Sequence, residues 1–269
     1  MIRALWTSAT GMQAAQVGID VISNNLANVN TTGFKHSRTN FQDCLYANMR
    51  PAGSQTSDAG TTVPVGVQLG HGVRVASVSK EFSQGSAIPT SEDPFNVDMA
   101  ITGAGFFQVE LPSGEIGYTR DGNFHVNDQG NIVTSDGYPL VGGQVGIDIT
   151  NHTRISIEKD GNIGFGIKDN PGFIKDQGQI QLANFVNPPG LTAIGGNLFV
   201  ESSASGTPII ANPTQDGLGG IKQHCLEQSN VNMVTEMVDM ITTQRAYEIG
   251  TKSIQTADSM LGMVIQLKR

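Results

Sequence analysis

Apolar residues recur at two different periods along this chain, and the change of period divides it. From Met233 an apolar residue returns every seven positions, at Met240, Tyr247, Ile254 and Leu261. Sustained over that length, the spacing predicts a helix carrying one apolar seam. Met237, Val238, Ile241, Ala257, Val264 and Ile265 widen the stripe, while Glu236, Asp239, Arg245, Glu248 and Lys252 are expected largely on the remaining surface. The opening of the chain keeps the same spacing at Leu5, Met12, Ile19 and Leu26, with Ala15 and Ile22 on the alternate half-turn. No proline interrupts residues 2–28, so the pattern predicts a single helix about 40 Å long, at roughly 1.5 Å per residue. An amphipathic helix alone leaves its apolar face in water. Two such helices, one at each end, bury their seams most simply against each other as a coiled coil; they would also serve as core helices of one globular domain.

Between the helices the period shortens to two. Val67, Leu69, Val73, Val75 and Val78 follow a mostly alternating spacing. Met99-Ala100-Ile101 and Phe106-Phe107-Gln108-Val109 flank Gly103-Ala104-Gly105, which reads as a tight turn, since the third glycine of a dinucleotide-binding loop is missing and no helical pattern follows. Asp121-Gly122, Gln129-Gly130, Asp136-Gly137 and Asp160-Gly161 punctuate short segments rich in β-formers and predict hairpin turns. Further strands are expected over 179–185 and 198–200, before Asp216-Gly217-Leu218-Gly219-Gly220 leads back to the closing helix. The fold class is therefore α+β: long N- and C-terminal helices paired as a coiled coil, with a central β-rich antiparallel domain. The expected segments are a helix over 1–32, an extended linker over 33–67, the β domain over 68–222, and a closing segment with its helix over 223–269.

Composition narrows the partners. With 269 residues the chain is long enough for two domains, and 33 glycines against 15% charged residues suit many short strands. A formal charge of -8 and the lack of any Lys/Arg cluster give no electrostatic footprint for nucleic acid. No apolar run reaches the roughly 18 residues of a membrane span, and the N-terminus does not read as a cleaved signal peptide. Membrane insertion is not expected. Cys44 and Cys225 are too few for a disulfide framework and lack metal-ligand spacing, so they read as two buried thiols.

Chemistry finds little purchase. His36, His71, His125, His152 and His224 are scattered without partners at ligand spacing, and no nucleophile elbow, zinc-helix motif or phosphate loop occurs. Asp121, Asp128 and Asp136 could supply a carboxylate pair for glycoside cleavage, but their turns need them for backbone geometry first. Asn151-His152-Thr153 has the form of a glycosylation acceptor. No catalytic residue, cofactor or metal is expected, and the chain reads as a structural protein. A carbohydrate-active enzyme built on the β domain is the alternative of another class.

Two long stretches carry a resemblance. Asn24-Asn25-Leu26-Ala27-Asn28, continuing through Thr32-Gly33-Phe34-Lys35, resembles the N-terminal signature of the flagellar rod and hook proteins, the axial proteins of the bacterial flagellum. Ser229-Asn230-Val231 and Gln244-Arg245-Ala246-Tyr247 resemble that family's C-terminal signature. The opening Met1–Trp6 and the segment from Tyr46 to Val73 look most like the distal-rod branch, with a hook or proximal rod subunit as the alternative. The resemblance implies a subunit that polymerises with itself into a tube, its seams on the inner wall and its β domain outside. It implies as partners the proximal rod subunits, the hook protein, a bushing ring around the rod and the flagellar export apparatus, which would pass the chain without a cleaved signal to a basal body whose rod crosses the periplasm. The polar stretch from Pro51 to Gly60 reads by itself as a flexible linker; as the insertion that marks the distal-rod branch, it would contact neighbouring subunits.

Overall fold

The computed structural model describes residues 2–53, 64–146, 152–167 and 170–267. Two long helices, α1 (Ile2–Ala27) and α2 (Met233–Leu267), enclose in sequence a run of strands, which is the expected α+β order. α1 runs uninterrupted until Asn28, where Thr31 N–H turns back to the Asn28 carbonyl at 3.2 Å. α2 starts behind Asn232, whose side-chain oxygen accepts the amides of Val234 (3.1 Å) and Thr235 (3.4 Å) and so satisfies two of the helix's free donors.

The chain forms two compact units. The helical unit comprises Met1–Ala27, Ser37–Ser79 and Asn232–Arg269; the β unit comprises Asn28–His36 and Lys80–Val231. In the helical unit α1 packs along α2 through small residues. A Cβ added at Gly18 would stand 3.3 Å from Thr243 Cγ2, and one at Gly250 only 2.6 Å from Met12 Cγ, so the absence of side chains there sets how near the helices come. Beside them lie β1 (Ser37–Asp43), β2 (Tyr46–Arg50), β3 (Val67–Gly70) and β4 (Val73–Lys80). β1 pairs with β4, and β2 with β3 in an antiparallel ribbon.

The β unit carries β5 (Ala87–Pro89), β6 (Met99–Thr102), β7 (Phe106–Glu110), β8 (Ile116–Thr119), β9 (Phe124–Val126) and β10 (Ile132–Thr134). It continues with β11 (His152–Ile157), β12 (Asn162–Ile167), β13 (Asn170–Gln179), β14 (Leu182–Asn184), β15 (Thr192–Gly195) and β16 (Leu198–Val200). β17 (Ile209–Ala211), β18 (Gly220–Gln223) and β19 (Cys225–Glu227) complete it. Its largest sheet has the order β15-β16-β8-β7-β14-β17 and is antiparallel throughout. Period-two alternation separates the two faces of that sheet. Phe107, Leu182 and Leu198 join the main core with Ile132, Leu140 and Ile163, while Phe106, Tyr118, Phe185 and Phe199 form a second, aromatic cluster. Edge-to-face contacts, such as Tyr118 on Phe185 at 4.8 Å between centroids, hold the aromatic cluster together.

Three of the four expected turns join their neighbours as read. Gly130 closes β9 onto β10 and Gly161 closes β11 onto β12, each with positive φ, and Gly137 turns at Thr134. Asp121-Gly122 is different: β8 pairs with β7 and β16, and β9 with β10, so no hairpin joins β8 to β9. Gly122 is required by close approach, because a Cβ there would run into the Met99 carbonyl. Residues 54–63, which include most of the polar stretch ending at Gly60, and Asn151 of the acceptor-like tripeptide lie outside the described residues.

Candidate functional site

The seam residues expected from the heptads all lie in the helical unit. Leu5, Met12, Ile19 and Leu26 on α1 are half-buried, as are Met240, Ile254 and Leu261 on α2, whereas Met233 and Tyr247 are exposed. The inward face of α2 alternates these residues with Glu236, Thr243, Gly250 and Ala257, a small or polar residue every seventh position. Of the residues expected to widen the seam, Ala257 is buried and the larger ones are not. Met237 is 50% exposed, Val238 54% and Ile241 58%, Val264 and Ile265 are likewise open, and beside them Val234, outside the expected seam, is 70% exposed. Glu236, expected on the surface, is buried. Its Oε2 accepts the Asn25 side-chain amide at 3.0 Å, and Asn25 also donates to Ser37 O and accepts from Ser37 N–H. Charge alone assigns Glu236 to the surface, whereas the Asn25 amide gives it a partner inside the helix pair.

The β2–β3 ribbon repeats the theme. Tyr46, Met49, Val67 and Leu69 are exposed on it, with Leu45 and Val65 at its ends. A two-stranded ribbon with its apolar side chains in water is marginal by itself. Next to it a cavity of about 560 Å³ is lined by Trp6, Thr10, Cys44, Leu45, His71 and Arg74 among others.

The signature residues fall in both units. Asn24 to Ala27 close α1, and Gln244 to Tyr247 lie exposed along α2, where Arg245 pairs with Glu248 at 2.8 Å. Asn28 to Lys35 and Ser229 to Val231 belong to the β unit, where they meet. Gly33 (φ +66) donates its N–H to the Glu227 carbonyl at 2.9 Å, and a Cβ on it would lie 2.5 Å from Asp121 N. The next two residues are pulled inward. Lys80 Nζ stands over the Phe34 ring at 5.0 Å and over Phe199 at 5.7 Å. Lys35, 1% exposed, reaches Glu227 Oε1 at 2.7 Å and the Ser83 carbonyl at 2.7 Å. Glu227 holds a second cation, Arg120 Nη1, at 3.3 Å, and Arg120 Nη2 donates to Gly103 O at 2.8 Å while its guanidinium lies over Phe106. Burial lowers the affinity of both Lys35 and Arg120 for their protons, and the Glu227 carboxylate works against that in each case. One carboxylate thus holds two buried cations.

Thr32 is fixed from two sides. Its hydroxyl donates to Asp121 Oδ1 at 2.9 Å and its carbonyl accepts from Asn197 Nδ2 at 3.0 Å. Burial raises the Asp121 carboxyl above its ordinary value, offset in part by hydrogen bonds from Asn123, Thr32 and Asn197. Arg120, Asn197 and the charge of Glu227 have no role in the sequence reading, which gives Asp121 a turn or a paired carboxylate. The available signal was a charged residue at the end of an apolar strand, in Tyr118-Thr119-Arg120 and Cys225-Leu226-Glu227.

Asp121 and Asp136 line one polar cleft of about 40 Å³ with Asn123 and Ser135, room for water but far below the roughly 300–1,000 Å³ of ligand pockets. Among the described residues no group of three or more His, Cys, Asp and Glu could hold a metal ion, and no helix is long and apolar enough to cross a membrane. Both cysteines are free thiols, Cys225 buried in β19 and Cys44 half-buried.

Three family profiles match the chain: "Flagella basal body rod protein" over residues 5–35, "Flagellar hook protein FlgE/F/G D1 domain" over 100–165, and "Flagellar basal body rod FlgEFG protein C-terminal" over 222–267. Lys35, Arg120 and Glu227 come one from each matched stretch. The flagellar basal-body rod protein FlgG of Caulobacter vibrioides is 50% identical over 268 residues, covering 99% of this chain and 100% of its own. That of Borreliella burgdorferi is 43% identical over 269 residues and the full length of both. The flagellar hook-basal body complex protein FlhP of Bacillus subtilis is 31% identical over 276 residues, 98% of each chain.

Proposed function

The chain belongs to the FlgG family of flagellar basal-body rod proteins, and on that premise we propose that it polymerises with copies of itself into the distal rod, a tube carrying torque from motor to hook. It is a structural subunit of the flagellar basal body. The observation that carries the reading is the exposed apolar stripe of Val234, Met237, Val238 and Ile241 on α2. At 50–70% exposure these four side chains each leave uncollected about half to two thirds of the roughly 1.5–3 kcal/mol of full burial, and neighbouring subunits recover it. The residues at heptad spacing, Leu5, Met12, Ile19 and Leu26 with Met233, Met240, Tyr247, Ile254 and Leu261, form a coiled-coil seam completed in the polymer. The insertion after Arg50 contacts adjacent subunits through the β2–β3 ribbon, whose apolar residues are otherwise uncovered. At its two ends the polymer meets proximal rod subunits and the hook, around it the bushing ring, and its subunits arrive through the flagellar export apparatus across the periplasm.

Full-length relatives named for the rod, at up to 50% identity, favour this over a hook subunit. Electron microscopy of the concentrated, purified chain tests it: tubular polymers are expected. A protein that stays monomeric at all concentrations, or that cleaves polysaccharides, would contradict it.

A further inference from the structure

We infer that Lys35, Glu227 and Arg120 form a clamp that fastens together the stretches by which the chain enters and leaves the β unit. The chain passes between its compact units next to residues 28, 36, 80 and 231. The β-unit side of those passages is three stretches, 28–36, 80–86 and 227–231, and side chains tie all three. Glu227 Oε1 accepts both Lys35 Nζ and the Gly85 amide, at 2.7 and 2.8 Å, and Lys35 donates onward to Ser83 O. Asn230 repeats the link: its Oδ1 accepts the His36 amide at 2.7 Å and its Nδ2 donates to Glu81 O at 2.8 Å. Arg120, at the end of β8, joins this knot to the six-stranded sheet.

A clamp is what these charges can supply. Burying three ions costs about as much desolvation as their attraction returns, so an apolar trio could match their net stability, yet removing one partner strands the others as uncompensated buried charge. Their distinct product is a fixed arrangement of chains. Backbone bonds link the stretches pairwise, Glu81 N–H to His36 O, Gly33 N–H to Glu227 O and Gln228 N–H to Ser86 O, beside the three-residue β5–β19 ladder, whereas the Glu227 carboxylate gathers Lys35, Gly85 and Arg120 at one point. Strain arriving through the passages therefore reaches the large sheet by way of Glu227 and Arg120. Its use in carrying torque rests on the rod reading; the clamp does not.

Hydrogen exchange on the purified full-length monomer separates the two, since no polymer is needed. Glu227→Gln keeps the shape and an acceptor but removes the charge. Amides of 28–36 and 80–86 should then exchange about tenfold faster or more, with β7, β8 and β14 unchanged. Lys35→Met should do the same and Lys35→Arg should restore protection. Should Glu227→Gln not fold, the Lys35 pair decides by the same readout. Equal loss of protection throughout the β unit would make Glu227 an ordinary core residue and overturn the clamp; unchanged exchange at both stretches would also overturn it. Either result leaves the rod reading standing, and a chain that never polymerises leaves the clamp standing.

Discussion

In the β unit Phe107, Ile132, Leu140 and Ile163 are fully buried and Glu227 holds both Lys35 and Arg120 out of water, whereas in the helical unit Val234, Met237, Val238 and Ile241 stand at least half exposed along α2. The β unit pairs its buried charges with one another, leaving Arg120 Nε and His224 Nδ1 as buried polar atoms without a partner among the described residues. Among the described residues of its helices, the helical unit fully buries only small apolar side chains, Ala14, Ala15 and Ala257, half-buries Leu5, Met12, Ile19, Leu26, Met240, Ile254 and Leu261, and leaves Val234, Met237, Val238 and Ile241 open. Small side chains let two helices approach but remove little apolar area from water. On the proposed function, the β unit folds for itself and the helical unit is finished by neighbouring subunits.

Core truncation should show the contrast most strongly. Phe107→Ala is expected to cost the β unit about 3–5 kcal/mol, while Val238→Ala on the exposed stripe stays within about 0.5 kcal/mol. Denaturant melts of both variants check this, and equal losses would erase the distinction. Gly33→Ala comes next, at about 1–3 kcal/mol, since a side chain at φ +66 also meets the Asp121 backbone. Its effect should appear in the β-unit transition, because Gly33 belongs there although it follows α1 in sequence.

Asn25→Ala probes the other unit. It removes the hydrogen bonds to Glu236 Oε2, Ser37 O and Ser37 N–H, for about 1–3 kcal/mol. Helical circular dichroism should melt earlier while the β unit's aromatic signal does not move. The smallest effect is one of pH. Because burial raises the Asp121 carboxyl in the folded chain, its contribution is fully present below the ordinary carboxylate value, about 4, and is lost as pH rises through the raised one. Asp121→Asn keeps an acceptor for Thr32 and Asn123, so its melting temperature relative to the parent should improve from acid to neutral pH. A constant difference would mean that Asp121 titrates normally.

Much of the fold was legible because periodicity reports burial. Heptads located both helices, alternation located the strands around Phe106 and Phe107, and Gly130, Gly137 and Gly161 marked real turns. What escaped was anything set by a distant partner. Asp121-Gly122 looks like a hairpin turn in sequence, but its glycine answers to the Met99 carbonyl. Glu236 looks like a surface charge until Asn25 is beside it. The terminal signatures, which chemistry alone reads as a helix exit, contain Lys35, and its meaning depends on Arg120 and Glu227, 85 and 192 residues further on (120 − 35 and 227 − 35). Local spacing cannot encode such pairings.

On the proposed function the outward apolar stripe of α2 serves assembly and not folding. Val238→Asp combined with Ile241→Asp tests it most directly, by comparing the thermal melt of the monomer with sedimentation of the concentrated chain. Both positions are open in the single chain, so charge there costs the monomer little, while in a polymer each buried, unpaired carboxylate costs several kcal/mol. An unchanged cooperative melt and no sedimenting polymer are expected. Normal polymers, or a monomer that unfolds, would contradict that role.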